Sequence, residues 1–315
     1  MKAQSIKQSA EEIDLSVIIV NWNTRELLRQ CLQSVYSTIN NLAMEVIVVD
    51  NASSDGSREM LEQDFPDVRK IFNQQNRGFG AANNQGFAVM KGKYALLLNT
   101  DAILTEGAVN KLWLFSETCA DAAIVCGQLL NADGSKQNSI ASFPSILTLL
   151  ANTSLLEYVF PRYFPSKRYE YREPLEVDSA IGACLMIRNA ALADAGFFDE
   201  RYFFFMEETD MAYSMRQKGW KIYQVPDSCI YHLQGQSVGH QTQSRIEFYR
   251  SRYQFMQKWH SRPYYYLASV IIFLRLSVNW LFSLVANILT MGSVKKFRNK
   301  LTVYSRLISW HWQER

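Results

Sequence analysis

Apolar runs of about five residues alternate, along the first 130 positions, with stretches in which apolar residues recur every three or four positions. A continuous apolar run bounded by polar residues is typical of a strand buried on both faces of a parallel sheet. The wider spacing predicts amphipathic helices. The predicted strands are residues 15–20, 45–50, 69–72, 94–99 and 122–126, and the predicted helices are residues 25–39, 81–90 and 106–117. This alternation predicts an α/β fold with a doubly wound, mostly parallel sheet and flanking helices, which binds ligands at the carboxyl ends of its strands.

The rest of the chain is divided by composition. Residues 131–179 hold four of the seven prolines and many aromatic residues, which predicts a long loop-rich segment over the sheet. The strand and helix pattern resumes at residue 180 and continues to about residue 232. Residues 1–14 carry charges and no apolar run, so they lack the features of a secretory signal. We expect a tail at residues 1–14, an α/β domain at residues 15–260 and a C-terminal helical region at residues 261–315.

Residues 264–292 form an apolar run with one charge, Arg275, that is long enough to span a bilayer if helical. Basic residues flank both ends: Arg262 before the run and Lys295, Lys296, Arg298 and Lys300 after it. If the α/β domain is cytosolic, a single crossing would place the basic tail outside, against the positive-inside tendency. An interfacial or re-entrant helical pair at the membrane surface fits this charge pattern better. A helix packed on the core, or an interface in a homodimer, is the alternative.

Charge and cysteine content narrow the function classes. The net charge of +3, from 33 basic and 30 acidic residues, is too balanced to indicate a nucleic acid partner. An apolar fraction of 48% with 20% charged residues indicates a globular protein with an ample core. The five cysteines are scattered and form no C-x-x-C pair, which indicates buried thiols in a reducing compartment. We therefore expect the protein to be cytoplasmic, at the inner face of the cell membrane.

Acidic residues follow two of the predicted strands, at the sheet edge that binds ligands in α/β folds. Asp50 ends the second strand and could accept the imide N–H of uracil or thymine, or a ribose hydroxyl. Asp50 and Asp55 could equally be turn formers and helix caps. Asn99, Thr100 and Asp101 end the fourth strand, where a carboxylate can bind Mg²⁺ or Mn²⁺ that bridges a diphosphate. A solvent-facing loop aspartate is the alternative for Asp101.

A second acidic cluster, Glu207, Glu208 and Asp210, directly follows an aromatic run. Such charges are favoured at a helix N-terminus by the helix dipole. Alternatively, one of them lies against aromatic surface, its pKa raised by desolvation, and acts as a general base towards a hydroxyl. His232 adds an imidazole beside a glycine-containing segment, which suits contact with a metal or a phosphate.

The segment at residues 78–83 departs from the dinucleotide-binding fingerprint. Asn83 replaces the third glycine, and the segment does not follow the first strand of the sheet. The first predicted strand is instead followed by Asn21, Trp22, Asn23 and Thr24, which include no glycine. An oxidoreductase is therefore disfavoured. A processive polysaccharide synthase is disfavoured as well, because the chain contains no Q-x-x-R-W motif.

Six segments, taken in order, resemble the inverting nucleotide-sugar glycosyltransferases of family 2, which have the GT-A fold. They are LSVIIVNWN, EVIVVDNASSDGS, NRGFGAANNQG, YALLLNTDA, IGACLMIRNAALADAGFFDERYFFFMEETDMAYSMRQKGW and VPDSCIYHLQGQS. The resemblance covers residues 15–259. Within the family the pattern is most similar to bacterial rhamnosyltransferase-type enzymes that build O-antigen and related cell-surface polysaccharides.

The resemblance implies a donor site at the carboxyl ends of the first strands. Val20, Trp22 and Asp50 match positions around the donor's base, with Asp50 on its imide N–H. The positions that match the nucleotide and diphosphate side are Asp55, Asn76, Arg77, Gly78 and Thr100.

The resemblance also implies a metal and a base. Asp101 matches the last position of the D-x-D motif and His232 a position near the metal, so both are expected to hold Mg²⁺ or Mn²⁺. Because Asn99 stands at the first position of that motif, the metal site is one carboxylate short. Glu208 falls at the catalytic base, with Glu207 and Asp210 as alternatives. Gly182, Ala183 and Cys184 resemble the acceptor-side segment.

The implied reaction moves a sugar, with rhamnose favoured, from a dTDP- or UDP-sugar to a hydroxyl, with inversion at the anomeric carbon. The acceptor is expected to be a glycan or a lipid-linked glycan, and a lipid-linked acceptor would explain the apolar C-terminal region. The alternative is a non-catalytic nucleotide-sugar-binding or scaffold member of the same fold, because Asn99 and Glu208 depart from the commonest family pattern.

Overall fold

The computed structural model describes residues 12–161, 163–166, 169–233 and 241–313. The strands in the described residues are β1 (Leu15–Asn21), β2 (Met44–Asp50), β3 (Arg69–Phe72), β4 (Tyr94–Asn99), β5 (Ala102–Leu104), β6 (Ala122–Leu130), β7 (Ile140–Ala141), β8 (Leu175–Val177), β9 (Ser179–Ala180), β10 (Cys184–Arg188) and β11 (Lys221–His232). The helices are α1 (Arg25–Thr38), α2 (Ser57–Asp64), α3 (Phe79–Phe87), α4 (Ala108–Thr118), α5 (Ile146–Leu150), α6 (Thr153–Val159), α7 (Asn189–Ala195), α8 (Glu207–Gln217), α9 (Gln241–Trp259), α10 (Arg262–Leu289) and α11 (Lys295–Gln313).

One large sheet organises these elements, in the strand order β3-β2-β1-β4-β10-β6-β11-β5, with β8 paired to β11. Strands β1 to β4 pair in parallel, and so do β6 and β11. β10 is antiparallel to both of its neighbours, β4 and β6. The predicted fold class is confirmed: the chain is α/β, with a mostly parallel central sheet, flanking helices and an apolar C-terminal helix.

Every strand and helix predicted in the first 130 residues is present. Two local predictions were incomplete. Residues 57–64, for which no helix was predicted, form α2, which buries Ser57, Met60 and Leu61 on one face. Residues 131–179, expected to be loop-rich, also contain the short elements β7, α5, α6 and β8.

The centre of the sheet is covered on both faces, as the continuous apolar runs predict. In β1 the side chains of Leu15, Val17, Ile18 and Ile19 are all fully buried. Helix α3 lies very close to this strand, because a Cβ placed on Gly86 would sit 2.5 Å from a methyl carbon of Ile18. Glycine is therefore the residue that lets α3 pack against β1.

The chain divides into two compact units. The first contains the sheet and comprises the described residues of Met1–Ala141, Lys167–Glu200 and Glu208–Ser237. The second comprises the described residues of Ser142–Ser166, Arg201–Glu207 and Val238–Arg315. The second unit has its own apolar core, built from Leu149, Tyr253, Met256, Ala268, Ile272, Leu276 and Leu307.

Helix α10 of the second unit is long and apolar enough to cross a membrane by length and composition alone. One of its faces packs into the unit's core through Ala268, Ile272 and Leu276. Arg275 is exposed, and it donates a hydrogen bond of 2.9 Å to the Leu149 carbonyl. The opposite face exposes Leu267, Val270, Leu274, Val278, Leu281, Phe282, Val285 and Ile288.

Two helices share one capping carboxylate. Thr24 occupies the N-cap position of α1 without a side-chain cap hydrogen bond. Instead, the Arg25 N–H at the start of α1 donates to Asp55 Oδ2 at 2.8 Å. The Ser57 N–H and hydroxyl at the start of α2 donate to Asp55 Oδ1 at 3.1 and 2.5 Å. Partial burial raises the pKa of Asp55, whereas these hydrogen bonds lower it by a larger amount. The pKa therefore lies below its usual value, and the carboxylate is ionised at neutral pH.

Replacing Asp55 with alanine should therefore destabilise the fold at pH 7 by roughly 1–3 kcal/mol, because it removes the cap of two helices at once. Urea unfolding of Asp55→Ala against the wild type measures this loss. Glu62→Ala, an exposed change on α2 itself, is the matched control and should shift stability by about 0.5 kcal/mol or less. Equal stability of both variants would show that the shared cap contributes nothing.

Candidate active site

Asp50 is held at the carboxyl end of β2 by three donors from the chain itself. Its side chain is fully buried. Asn21 Nδ2 donates to Oδ1 at 2.8 Å, and the Ser53 N–H donates to Oδ2 at 3.0 Å. Arg58 Nε donates to the same Oδ2 at 3.1 Å, which makes this a charge-assisted hydrogen bond. A carboxylate has about four acceptor positions, so these three donors leave one of them without a donor from the chain.

A chain of hydrogen bonds joins this strand end to the end of β4. The Thr24 hydroxyl donates to Asn21 Oδ1 at 2.8 Å and lies 2.9 Å from the Thr100 hydroxyl. Trp22, at the end of β1, keeps 48% of its side chain exposed, and Val20 is partly buried. The predicted base-contacting positions therefore share one edge of the sheet.

The loop before α3 is fixed to the same edge. Asn51 Nδ2 donates to the Gly78 carbonyl at 3.1 Å, and Asn76 Oδ1 accepts from the Gly78 N–H at 2.9 Å. Gly78 has a φ of 84°, which favours glycine and lets the chain turn into α3. Arg77 points to solvent, where it lies 3.6 Å from Glu200. Of the predicted nucleotide-side residues, Asp55 serves the fold as the shared helix cap, and Asn76 and Gly78 shape the turn into α3.

Asp101 and His232 come together at the end of β4. The antiparallel pairing of β5 with β11 places His232 opposite Ala102. His232 Nε2 then lies 3.3 Å from Asp101 Oδ1, and both side chains are buried. The Leu233 N–H donates to the Asp101 carbonyl at 2.8 Å, which fixes the backbone on either side of the pair.

Gln137 holds the His232 ring from the other side. Its Nε2 donates to the His232 carbonyl, so its Oε1 is the atom that faces His232 Nδ1, at 3.0 Å. The amide is thereby oriented, and Nδ1 must be the donor. In the neutral ring this leaves a lone pair on Nε2, directed at Asp101.

The pair fits a divalent cation. An imidazole nitrogen with a free lone pair and a carboxylate oxygen repel each other at 3.3 Å unless a cation or a second proton lies between them. No group of three His, Cys, Asp or Glu side chains in the described residues could hold a metal ion. A metal that keeps most of its ligands as water and substrate phosphate needs only one or two protein groups.

Glu208 is a carboxylate without a partner at one of its oxygens. It is the second residue of α8, and its Oε2 is buried with no hydrogen-bond partner. Burial raises the pKa of Glu208 to about 7, although hydrogen bonds from its own N–H and that of Thr209 lower it in part. Glu207 and Asp210 are buried as well. Glu208 therefore has the environment of a group that exchanges a proton near neutral pH.

The predicted acceptor-side segment lies next to Glu208. A Cβ placed on Gly182 would lie 3.9 Å from Glu208 Cδ, so glycine leaves space beside the carboxyl group. The Asn99 N–H donates to the Ala183 carbonyl at 3.0 Å, which ties this segment to the strand that ends before Asp101. Cys184 is buried in β10, and burial raises its pKa to about 12, so its thiol stays protonated.

Sequence reasoning missed three residues that organise this site: Asn21, Arg58 and Gln137. Asn21 and Arg58 lie close in the chain to Trp22 and Asp50, so a search for partners of a strand-end carboxylate could have found them. Gln137 lies in the irregular segment after β6, and no local pattern marks it.

Two curated relatives are similar to this chain over much of its length. The N-acetylglucosaminyl-diphospho-decaprenol L-rhamnosyltransferase of Mycobacterium tuberculosis is 28% identical over 263 residues, which cover 78% of this chain and 85% of the relative. The low-salt glycan biosynthesis hexosyltransferase Agl10 of Haloferax volcanii is 28% identical over 213 residues, which cover 66% of this chain and 64% of the relative.

Solved structures share the fold at low sequence identity. The mannosyltransferase PcManGT of Pyrobaculum calidifontis, in complex with GDP-Man and Mn²⁺, has a TM-score of 0.57 at 15% identity and covers 96% of this chain and 87% of its own. GalNAc-T7 with UDP, GalNAc and Mn²⁺ has a TM-score of 0.61 at 15% identity and covers 97% of this chain and 58% of its own.

The family model described as glycosyl transferase family 2 matches residues 16–196, more than half of the chain. Together with the sheet and the strand-end residues, this match identifies the chain as a member of glycosyltransferase family 2, with the GT-A fold.

Proposed function

We propose that this glycosyltransferase inverts the anomeric carbon of a dTDP- or UDP-activated hexose, with rhamnose favoured, as it transfers the sugar to a hydroxyl of a glycan or lipid-linked glycan. The observation that carries this proposal is the buried, unpartnered Oε2 of Glu208 beside Gly182. The similar rhamnosyltransferase of Mycobacterium tuberculosis, whose name specifies a diphospho-decaprenol compound, supports the choice of sugar and of acceptor class.

Glu208 is the proposed general base. Oε2 takes the proton of the acceptor hydroxyl as that oxygen forms a bond to the anomeric carbon. The bond from this carbon to the diphosphate oxygen breaks on the opposite face, so the configuration inverts. Gly182 leaves room beside the carboxyl group for the incoming hydroxyl.

The donor is proposed to bind along the carboxyl ends of β1, β2 and β4. Trp22 offers an exposed aromatic face to the base, and Asp50 offers its remaining acceptor position to the imide N–H. Thr100 and the Gly78 loop lie on the diphosphate side of this edge.

Asp101 and His232 are proposed to hold Mg²⁺ or Mn²⁺, in line with the Mn²⁺ named in the two structural neighbours. Such an ion would stabilise negative charge on the leaving diphosphate. Gln137 keeps the His232 lone pair directed at Asp101, which is a positioning role.

The exposed apolar face of α10 is proposed to lie on the cytoplasmic surface of the cell membrane. Its residues recur with helical spacing along most of the helix. Lys295, Lys296, Arg298 and Lys300 follow directly in α11 and are exposed. An apolar stripe with basic residues at its end matches the interface of an anionic bilayer.

Glu208→Gln should lower turnover by about 10²- to 10⁴-fold, because the amide cannot accept the proton. Calorimetry should show donor binding within about twofold of the wild type, since the change preserves shape and leaves the donor edge intact. In the wild type, kcat/KM should rise with pH through about 7, because only the ionised Glu208 acts as a base and its pKa lies there.

If Glu208→Gln keeps its turnover while Glu207→Gln or Asp210→Asn loses it, the base is the residue whose variant is inactive. Donor binding by the wild type without any turnover would favour the non-catalytic alternative.

Gln137→Leu should weaken Mn²⁺ binding in the presence of UDP by about 10- to 100-fold, because the His232 ring loses the acceptor that fixes its tautomer. The titration is followed by the electron paramagnetic resonance signal of free Mn²⁺. Asp101→Ala should lose most, because it removes one of the two proposed ligands of the ion. Normal Mn²⁺ affinity in Gln137→Leu, with weak binding in Asp101→Ala, would leave Gln137 without a positioning role.

Membrane contact predicts binding to vesicles that contain phosphatidylglycerol, with weaker binding to pure phosphatidylcholine. The triple variant Leu274→Gln, Val278→Gln, Leu281→Gln should reduce co-sedimentation at least about tenfold, since it removes apolar area from the exposed stripe. Leu114→Gln, an exposed change on α4 of the sheet unit, is the control. If the wild type does not bind vesicles but forms a dimer, and the triple variant is monomeric, the exposed stripe is the interface of a homodimer.

A further inference from the structure

Among the described residues, two arginines and no carboxylate line a cavity in the helical unit. It has a volume of about 270 Å³ and lies between the α5–α6 segment, α9 and α10. Arg252 of α9 and Arg275 of α10 line it, with Phe248 beside them. Thr148, Asn152 and Thr153 add neutral polar side chains. The cavity therefore carries positive charge with no opposite charge on its walls.

Arg252 is a half-buried residue of which one guanidinium nitrogen lacks a hydrogen-bond partner. Its Nε is buried and has no hydrogen-bond partner, and its guanidinium carbon lies 5.3 Å from the centre of the Phe248 ring. Burial lowers the pKa of Arg252, and the like charge of Arg275 lowers it further, although the nearby Tyr249 acts in the opposite direction. A buried charge without a compensating partner is unfavourable, so native proteins nearly always pair it.

Arg275 adds a second cation that is only partly used by the chain. One of its terminal nitrogens donates to the Leu149 carbonyl at 2.9 Å. A guanidinium carries five N–H donors in a planar fork, which matches the oxygens of a phosphate better than those of a neutral group. Arg275, the sole charge of the long apolar run, is exposed and lines this cavity.

We propose that this cavity binds a phosphoryl group, with Arg252 and Arg275 as its anion-binding residues. The room is sufficient, since a water molecule takes about 30 Å³ in the liquid and the cavity could hold a phosphate or diphosphate with waters. The chemistry is that of a phosphate monoester or diphosphate, whether it comes from free phosphate, from pyrophosphate or from the headgroup of a lipid. The proposal does not depend on the role of Glu208, because it concerns a binding site built entirely from the helical unit.

Calorimetry of the full chain with pyrophosphate, in buffer without divalent metal and with UDP already saturating the donor site, tests the proposal. Arg252→Met and Arg275→Met should each weaken pyrophosphate binding by about tenfold or more. Arg245→Met, an exposed change on the same helix α9, should stay within about twofold. Absence of pyrophosphate binding to the wild type, or equal losses in all three variants, would overturn the site.

Thermal unfolding separates a binding role from a structural one. Pyrophosphate should raise the unfolding temperature of the wild type and not that of Arg252→Met, because a ligand of the native state stabilises it. Without ligand, Arg252→Met should unfold at the same temperature as the wild type or higher, since the change removes an unpaired buried charge. A large fall in the unfolding temperature of ligand-free Arg252→Met would show that Arg252 is structural.

The source of the phosphoryl group is distinguished by bicelles that contain phosphatidic acid, compared with bicelles of phosphatidylcholine alone. If the protein binds phosphatidic acid, and both pyrophosphate and Arg275→Met weaken this binding, the site is assigned to a lipid headgroup. Pyrophosphate binding without any preference for phosphatidic acid assigns it to a soluble phosphate. Donor binding with Mn²⁺ should be unchanged in both arginine variants, so a failure of this site is distinct from a failure of the proposed transferase.

Discussion

The antiparallel ladder between β5 and β11 is the constraint on which the candidate active site depends. Its register sets His232 opposite Ala102, and this places the imidazole against the carboxylate that ends β4. The contact joins residues that are far apart in the chain, and backbone hydrogen bonds of the sheet maintain it. A side-chain pair held in this way has little freedom to rearrange, because burial and Gln137 already restrict both side chains.

Asp50 and Glu208 are two carboxylates of the sheet unit whose surroundings differ in the number of hydrogen-bond donors that reach them. Asp50 accepts from Asn21, Ser53 and Arg58, so its burial is compensated and it organises the strand ends around it. Glu208 has an oxygen that no donor reaches, and burial raises its pKa to about 7. The two carboxylates therefore differ in environment: the first is saturated by donors from the chain, and the second has the environment that its proposed role as a base requires.

The sequence predicts best what depends on local pattern. The strands of the sheet follow from apolar runs, because a strand covered on both faces needs an apolar residue at nearly every position. Family resemblance singled out Asp101, His232 and Glu208 as candidates, although their distances follow from the ladder and from the packing of α8. Contacts between distant segments were missed: Asp55 caps α1 across the sheet edge, and Gln137 orients a ring nearly a hundred positions later. Neither has a spacing that periodicity can detect.

Unsatisfied buried groups connect the folding of this protein with its ligands. Most buried polar atoms in native proteins find a partner, so an exception calls for an explanation. Eight buried side-chain atoms of the described residues are such exceptions, among them Glu208 Oε2 in the sheet unit and Arg252 Nε in the helical unit. Their charges are opposite, so the first suits a hydroxyl that donates a proton and the second suits an anion. In both proposals the ligand supplies the hydrogen-bond partner that the free protein lacks, and a ligand that binds the native state stabilises it.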